Sequence, residues 1–524
     1  MRAAPMARLL IIVALQAVVA ATAWPLETTV GGRRIDLDGT FSVREVAEAN
    51  GATKHERTQE QLRLHTAVSL ADWLRFEAAG VGTNGGPTLK ADRAGAYTWD
   101  DVFQDISPAA DLDEAYFDVF LPSVDLRIGK QKVAWGKLDR TQPNDLINPT
   151  TYFDPFVEEE AERKIGVPAL QASYYLPQAS IVPEESRLTA VWVPKYIPYR
   201  FPLASCTVQN GVSHCDAERW FPPAGIPVSS ITIPAGVIPL PPGVHALSVP
   251  LGFRVHNGAA PAWNLANSEI GVRYSALVHD VDAALYYFHG FDVQPAFNLT
   301  ADAVGQADPS NPLGVKSGTL SGLTTLSPEF RTIDSWGADF AYAFDRFTVR
   351  GEGAYISGRP FAVDLRDLVA DPRQLAAPLQ EALGQLAHGA GSAPVALPPA
   401  FVTHDSAEWG IGADYVNEGY MLLLQVNQTD VLHNDANLLI KNVETRLLAN
   451  LRKAFLTAET LQAQLVAMHA IESDYTLVRP TLRYKLTDDL SALVGYLYIA
   501  GRAHSLIGEY RRNDEGYVRV EYKL

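Results

Sequence analysis

Few residues in this chain are spaced for covalent chemistry. His404 and Ser406, with Asn417 further on, are the types that serve as base, nucleophile and orienting group in a hydrolase. The serine is followed by Ala407-Glu408, which offers no helper donor beside the nucleophile. No GxSxG elbow, HExxH helix, phosphate-binding glycine loop or CxxCH haem motif occurs. His and Asp residues are scattered without metal-ligand spacing, so the sequence implies no catalytic residue, metal or cofactor. Cys206 and Cys215 enclose "CTVQNGVSHC", and Asn210-Gly211 between them is a turn dipeptide. In an oxidising compartment that pair would close a small loop by a disulfide, whereas His214 lacks the second ligand pair zinc needs.

The other chemistry-bearing set is a population of charges. Arg63, Arg75, Arg127, Arg187, Arg273, Arg350, Arg446, Arg452, Arg479 and Arg483 all fall on the polar faces of alternating segments. Glu77, Glu114, Asp118, Glu269, Asp282, Asp339, Glu352 and Glu444 do too, and Gln131 shares a face with Arg127. Opposite charges on neighbouring strands brace a wall. The same residues facing water would line a channel for anionic or polyhydroxylated solutes. The formal net charge of -17 excludes a nucleic-acid partner, which requires a basic face.

The elements that carry these residues are strands. About eighteen alternating runs of roughly ten residues follow one another, the length that crosses a bilayer at a tilt. In "QLRLHTAVSL", Leu62, Leu64, Val68 and Leu70 oppose Gln61, Arg63, His65 and Ser69; in "SWGADFAYAFD", Trp336, Phe340, Tyr342 and Phe344 share the apolar face. The connections alternate in length. Short turns are expected at Ala71-Asp72, Pro122-Ser123, His279-Asp280, Asp345-Arg346, Asn417-Glu418-Gly419, Thr457 to Glu459 and Thr487 to Asp489. Long loops are expected over about 83–110, 137–164, 196–264, 293–328, 358–403 and 431–442. This spacing predicts an all-β, up-and-down antiparallel transmembrane barrel of 16–18 strands, with long extracellular loops that carry short helices.

The ends agree with export to an outer membrane. Arg2 and Arg8 flank the apolar "LLIIVALQAVVA", and Ala21-Thr22-Ala23 has the small-x-small pattern of signal cleavage, so residues 1–23 read as a signal peptide and 24–524 as the barrel. "GYVRVEYKL" alternates, with Val518, Val520, Tyr522 and Leu524 on one face, and resembles the C-terminal assembly signal of Gram-negative outer-membrane barrels.

Three loops carry structure of their own. Asp154-Pro155 starts a helix to about Lys164, with Glu158, Glu159 and Glu160 early and Arg163 and Lys164 late, either folding over or into the pore to narrow it or shielding the rim from outside. Trp220 to Pro250 is proline-rich and cannot form a regular helix. Val363 to Gly389 has helical spacing broken by Pro372 and Pro378, either packed on neighbouring loops or entering the lumen as a plug.

"DLRIGKQKVAWGK" is expected as the fifth strand, rising outward after Phe120. Leu126 and Ile128 would face lipid, and Arg127 and Gln131 the lumen. Lys130 and Lys132 then fall on the lipid face, which calls for a bulge at Gly129 or a place at the outer rim, and Trp135 would sit in the interfacial belt. With "EAYFDVF", "NDLINP", "RKIGVPALQASYYLP" and "RLTAVWVPKYIP", this stretch resembles a family of uncharacterised outer-membrane barrels with an R-x-G-[RK]-Q-x-V-x-W-G strand, similar in architecture to alginate-export porins. Gly129, Lys130, Trp135 and Gly136 are its motif positions here, and the resemblance covers Asp113 to Pro202. It implies a barrel without naming a substrate. The expected function is a porin or channel-type transporter for polar or anionic solutes, not an enzyme. Its partners would be outer-membrane lipid and lipopolysaccharide, the solutes and the barrel-assembly machinery. The alternative is a structural barrel that sheaths a periplasmic electron-transfer partner or displays adhesive loops.

Overall fold

The computed structural model describes residues 28–30, 33–48, 56–84, 110–152, 156–179, 182–199, 206–209, 212–215, 230–238, 240, 243, 245–255, 261–294, 296–365, 372–502, 505, 507–511 and 513–524. Eighteen strands close a single antiparallel barrel, as the connection lengths predict. They are β1 (Arg33–Glu48), β2 (Glu56–Ala71), β3 (Leu74–Asn84), β4 (Ala110–Phe120), β5 (Val124–Gln131), β6 (Val167–Tyr175), β7 (Glu184–Val193), β8 (Glu269–Val278) and β9 (Val281–Phe291). The second half comprises β10 (Thr332–Phe344), β11 (Phe347–Ala362), β12 (Phe401–Asn417), β13 (Tyr420–Val431), β14 (Val443–Phe455), β15 (Leu461–Ala470), β16 (Tyr475–Lys485), β17 (Leu490–Gly501) and β18 (Glu515–Lys523). Each strand pairs with the next, and β18 closes on β1 from Thr40↔Lys523 to Glu48↔Glu515. All seven expected short turns join successive strands. An eighth, between Tyr175 and Glu184, has no Gly to mark it in the sequence.

Closure leaves each strand one face outward. Phe117, Ile128, Leu170, Trp192 and Ile270 are register partners in turn across β4 to β8, and all are exposed. Two aromatic girdles bound this apolar band. Tyr287, Trp336 and Tyr355 form one, with ring centroids 5.6 and 6.2 Å apart. Phe344, Phe347, Tyr415 and Tyr420 form the other beside the short turns. From Trp336 to Phe344 the strand runs roughly 26 Å at about 3.3 Å per residue, which at a barrel tilt of about 40° covers roughly 20 Å of height. An apolar belt of about this height between aromatic rings is the exterior of a transmembrane barrel.

The long connections all leave the opposite end. Three of them build a second sheet of seven strands: Cys206–Gln209, Val212–Cys215, Ser230–Pro234, Ala246–Val255, Ala296–Val304, Ser321–Glu329 and Ser392–Val395. The proline-rich segment thus contributes a hairpin, Ser230–Pro234 against Ala246–Val255. The connection between β5 and β6 includes a four-residue helix, α1 (Glu160–Arg163). That is shorter than the expected helix, whose Asp154-Pro155 start lies outside the described residues. A twelve-residue helix, α2 (Ala376–Ala387), buries Ala382, Leu383 and Leu386 against the loop sheet and does not plug the lumen. Pro378 does not break it, because it falls in the first turn, where a backbone N–H has no helical acceptor. The proposed signal segment, 1–23, also lies outside the described residues.

Candidate pore constriction

The strand that carries Arg127 and Gln131 stops early. Ladder pairing of β5 ends at Gln131, and residues 132–152 and 156–166 lie inside the barrel. Gly129 keeps continuous register with both neighbours, so there is no bulge; it adopts φ +139° instead. Lys130 is neither in lipid nor at the rim but 1 % exposed, its ammonium 3.6 Å from Asp111. Lys132 reaches Asp113 at 2.8 Å and donates its backbone N–H to Glu114. Gln131 is wholly buried and donates to the Ala169 carbonyl, so it braces the segment's root and does not line the bore.

Trp135 corrects the expectation of an interfacial anchor. Only 4 % exposed, it packs inside the barrel with Val133, Leu146, Ile147 and Ile165 against Val191, Tyr286 and Ile356 of the wall. The alternation that placed it outward had already ended at Gln131. Its ring lies 5.4 Å from that of Tyr286 and occupies the space over Gly271, where a Cβ would come 2.5 Å from Cη2. Gly337 gives the same room to Asn144, and Gly410 to Leu138. Glycines on β8, β10 and β12 thus form a trough that receives the segment, a signal visible in the sequence only once an occupant is known.

Polar contacts fix the segment in this trough. The Glu352 carboxylate accepts backbone N–H groups from Lys137 (2.9 Å), Leu138 (3.3 Å) and Asn144 (2.8 Å). The Lys137 ammonium lies 2.9 Å from Asp282 and 3.1 Å from Asp339, and Tyr286 donates to Asp339 while accepting from Arg273. Gln425 bonds the segment both ways, accepting from the Asp139 N–H at 2.9 Å and donating to its carbonyl at 2.8 Å. Arg350 pairs with Asp414 and reaches the Lys137 carbonyl at 3.3 Å. Asp145 pairs with Lys164 within the segment; burial raises its carboxyl pKa to about 6 despite the ammonium.

The far end of the segment is held on the opposite wall. Phe156 and Val157 pack with Val46, Leu477, Leu497, Ile499 and Tyr517. Arg479 on β16 donates to the carbonyls of both residues and to Glu159 at 2.6 Å. Glu159 also pairs with Arg140, and Glu158 lies 3.7 Å from Arg44. Burial pushes the Glu159 carboxyl up, but Arg479 and Arg140 outweigh it and hold the pKa below the ordinary range. The segment therefore spans the lumen from the β8–β13 wall to β16, β18 and β1.

The remaining candidates divide by partner. Arg127 forks onto Asp118 at 2.7 and 2.9 Å, with its guanidinium 4.0 Å over the Tyr116 ring. Arg75 pairs with Glu77 at 2.9 Å and Arg483 with Glu521 at 3.1 Å. Glu269 accepts from the Phe291 N–H, Glu444 from Ser473, and Arg446 donates to Thr429. Arg187 stands opposite Tyr175 and Ser275. Arg63 donates to Gln61, and Arg452 is exposed on the face it shares with Arg446. Acids and bases are thus mixed along the inner wall. His404 and Ser406 share β12, but Asn417 is at its far end, which leaves no triad. Among the described residues no group of His, Cys, Asp and Glu is placed to hold a metal ion.

A protein-family profile described as "Protein of unknown function (DUF1302)" matches residues 90–479, more than half of the chain and all of the motif-bearing segment. The chain belongs to the DUF1302 family. No curated protein matches this DUF1302 sequence. Among solved structures it is similar to Acinetobacter baumannii OccAB1, at 8% identity and TM-score 0.45, over 94% of this chain and 97% of that one. It is similar to Pseudomonas aeruginosa OccK8 (OprE), at 10% identity and TM-score 0.43, over 94% and 98%. A BenF-like porin from Pseudomonas fluorescens Pf-5 matches at 8% identity and TM-score 0.43, over 95% and 100%. The fold of this DUF1302 member rests on its own strand pairing.

Proposed function

We propose that this DUF1302 protein is an outer-membrane channel of a Gram-negative bacterium. In this reading residues 132–166 narrow the bore, and small polar solutes pass with a preference for anions. The observation that carries it is the segment itself: it is pinned to both walls of the lumen, as a constriction must be to keep its shape. Arg63 and Arg452 have no carboxylate partner among the described residues, and in the bore they would attract anions. The apolar belt would contact lipid, the loop sheet would face lipopolysaccharide and the medium, and both chain ends would be periplasmic after removal of residues 1–23. Strand β18 would present the barrel-assembly signal. Reconstitution in planar bilayers under a salt gradient tests this. Discrete conductance steps with an anion-selective reversal potential are expected; absence of steps, or cation selectivity, would overturn it.

A further inference from the structure

The loop sheet encloses a second space, outside the lumen. It is a cavity of about 360 Å³ between the Ser230–Pro234/Ala246–Val255 hairpin, the Ala296–Val304/Ser321–Glu329 pair and helix α2. Ile233, Val249, Leu323, Leu379 and Leu383 are among its walls. Val363 and Leu439 close it toward the barrel, where the Leu439 N–H donates to the Ala362 carbonyl at the end of β11.

Protein interiors are packed to near-crystalline density and hold few voids larger than a water molecule. A void of this size belongs with ligand pockets, which run from roughly 300 Å³ upward. Water is a poor tenant here, because it needs two to four polar partners and this lining is aliphatic. Val315, Ala382, Leu386 and Ala393 are fully buried in the cluster beside it. The lining decides the class of guest. Lys and Arg do not occur among its described residues. A fatty-acid carboxylate or a phosphate would be buried there without a counter-charge, whereas a hydroxyl or a plain hydrocarbon brings no charge to leave unpaired.

We propose that the loop sheet holds a binding site for a neutral apolar small molecule, a hydrocarbon or a long-chain or polycyclic alcohol. This site is distinct from the lumen and independent of whether the barrel conducts. A bulky side chain at Ala301, on the inner strand pair, fills it without touching the constriction.

The test uses the full-length protein in amphipol with the neutral fluorophore N-phenyl-1-naphthylamine. Saturable enhancement is expected for the wild type, displaced by 1-dodecanol and not by dodecanoate at tenfold higher concentration. Ala301→Trp and, from the helix side, Leu379→Trp should each weaken probe binding at least tenfold while keeping heat-modifiable gel mobility. Native mass spectrometry of the wild type should show one dodecanol per chain, a readout that needs no variant to assemble. Equal probe binding by wild type and folded variants, displacement by dodecanoate as effective as by dodecanol, or no retained dodecanol would overturn the assignment.

Discussion

Gly136 lies directly against Glu352: a Cβ added to it would fall 2.6 Å from Oε1 and 2.7 Å from Oε2, at a backbone φ of +89°. The Trp-Gly step of the motif is thereby explained as one device. Tryptophan fills the trough, and glycine lets the chain turn so that the carboxylate can collect three backbone N–H groups. Glu352→Leu leaves those donors unsatisfied in a buried site, at about 1–3 kcal/mol each. Gly136→Ala adds both a clash and an unfavourable φ. Both variants should assemble, show larger and noisier single-channel conductance, and become cleavable by protease within residues 132–166. Wild-type conductance in both would mean that the segment does not set the bore.

Arg127 and Arg452 should respond differently to the same substitution. Arg127 is engaged twice by Asp118 and stacked on Tyr116, so its charge is largely spent locally. Arg452 is exposed and free to act on ions. Arg452→Glu and Arg63→Glu are expected to move the reversal potential toward cations, and Arg127→Gln to leave it nearly unchanged while lowering the unfolding temperature. A large selectivity shift from Arg127→Gln, with none from Arg452→Glu, would reverse these roles.

Cys206 and Cys215 are backbone register partners across a two-stranded hairpin of the loop sheet. An oxidised pair there is expected to stabilise the loop by roughly 2–3 kcal/mol. Mass spectrometry of the unreduced, alkylated and denatured protein should find no alkylated cysteine. Two modified thiols per chain would sink the idea.

Asp145 makes the segment's anchoring depend on pH. Its folded carboxyl titrates near 6, above the ordinary value of 3.8 that an unfolded chain would show. The folded form therefore holds the proton more tightly. This contribution is complete below about pH 4 and is lost as pH rises through 6, on the order of 3 kcal/mol. Asp145→Asn cannot ionise, so its thermal midpoint should gain on the wild type between pH 4 and pH 7. Parallel curves across that range would show that Asp145 is solvated in the folded protein.

The barrel was legible because its rules are periodic. Alternation predicts which face of β2 or β10 meets lipid, and turn residues such as His279-Asp280 and Asn417-Glu418-Gly419 mark where a strand must reverse. The constriction was legible only in outline. Two lysines, Lys130 and Lys132, fell where alternation forbids them, and that conflict marked the end of a strand, not a bulge within it. Nothing local distinguishes a Trp135 that faces lipid from one that fills a lumen; the difference lies at Gly271, Gly337 and Gly410, far away in sequence. Glu352 likewise reads as one more wall carboxylate until its three donors arrive from residues 137–144.

The span of residues 132–166 across the lumen also bears on how the molecule is made. Lys137 waits for a partner 215 residues downstream, and Val157 for one 322 residues downstream. The segment's two seats are built by strands that come late in the chain, so a barrel truncated before β11 would hold neither of them, and one truncated before β16 would hold only the first.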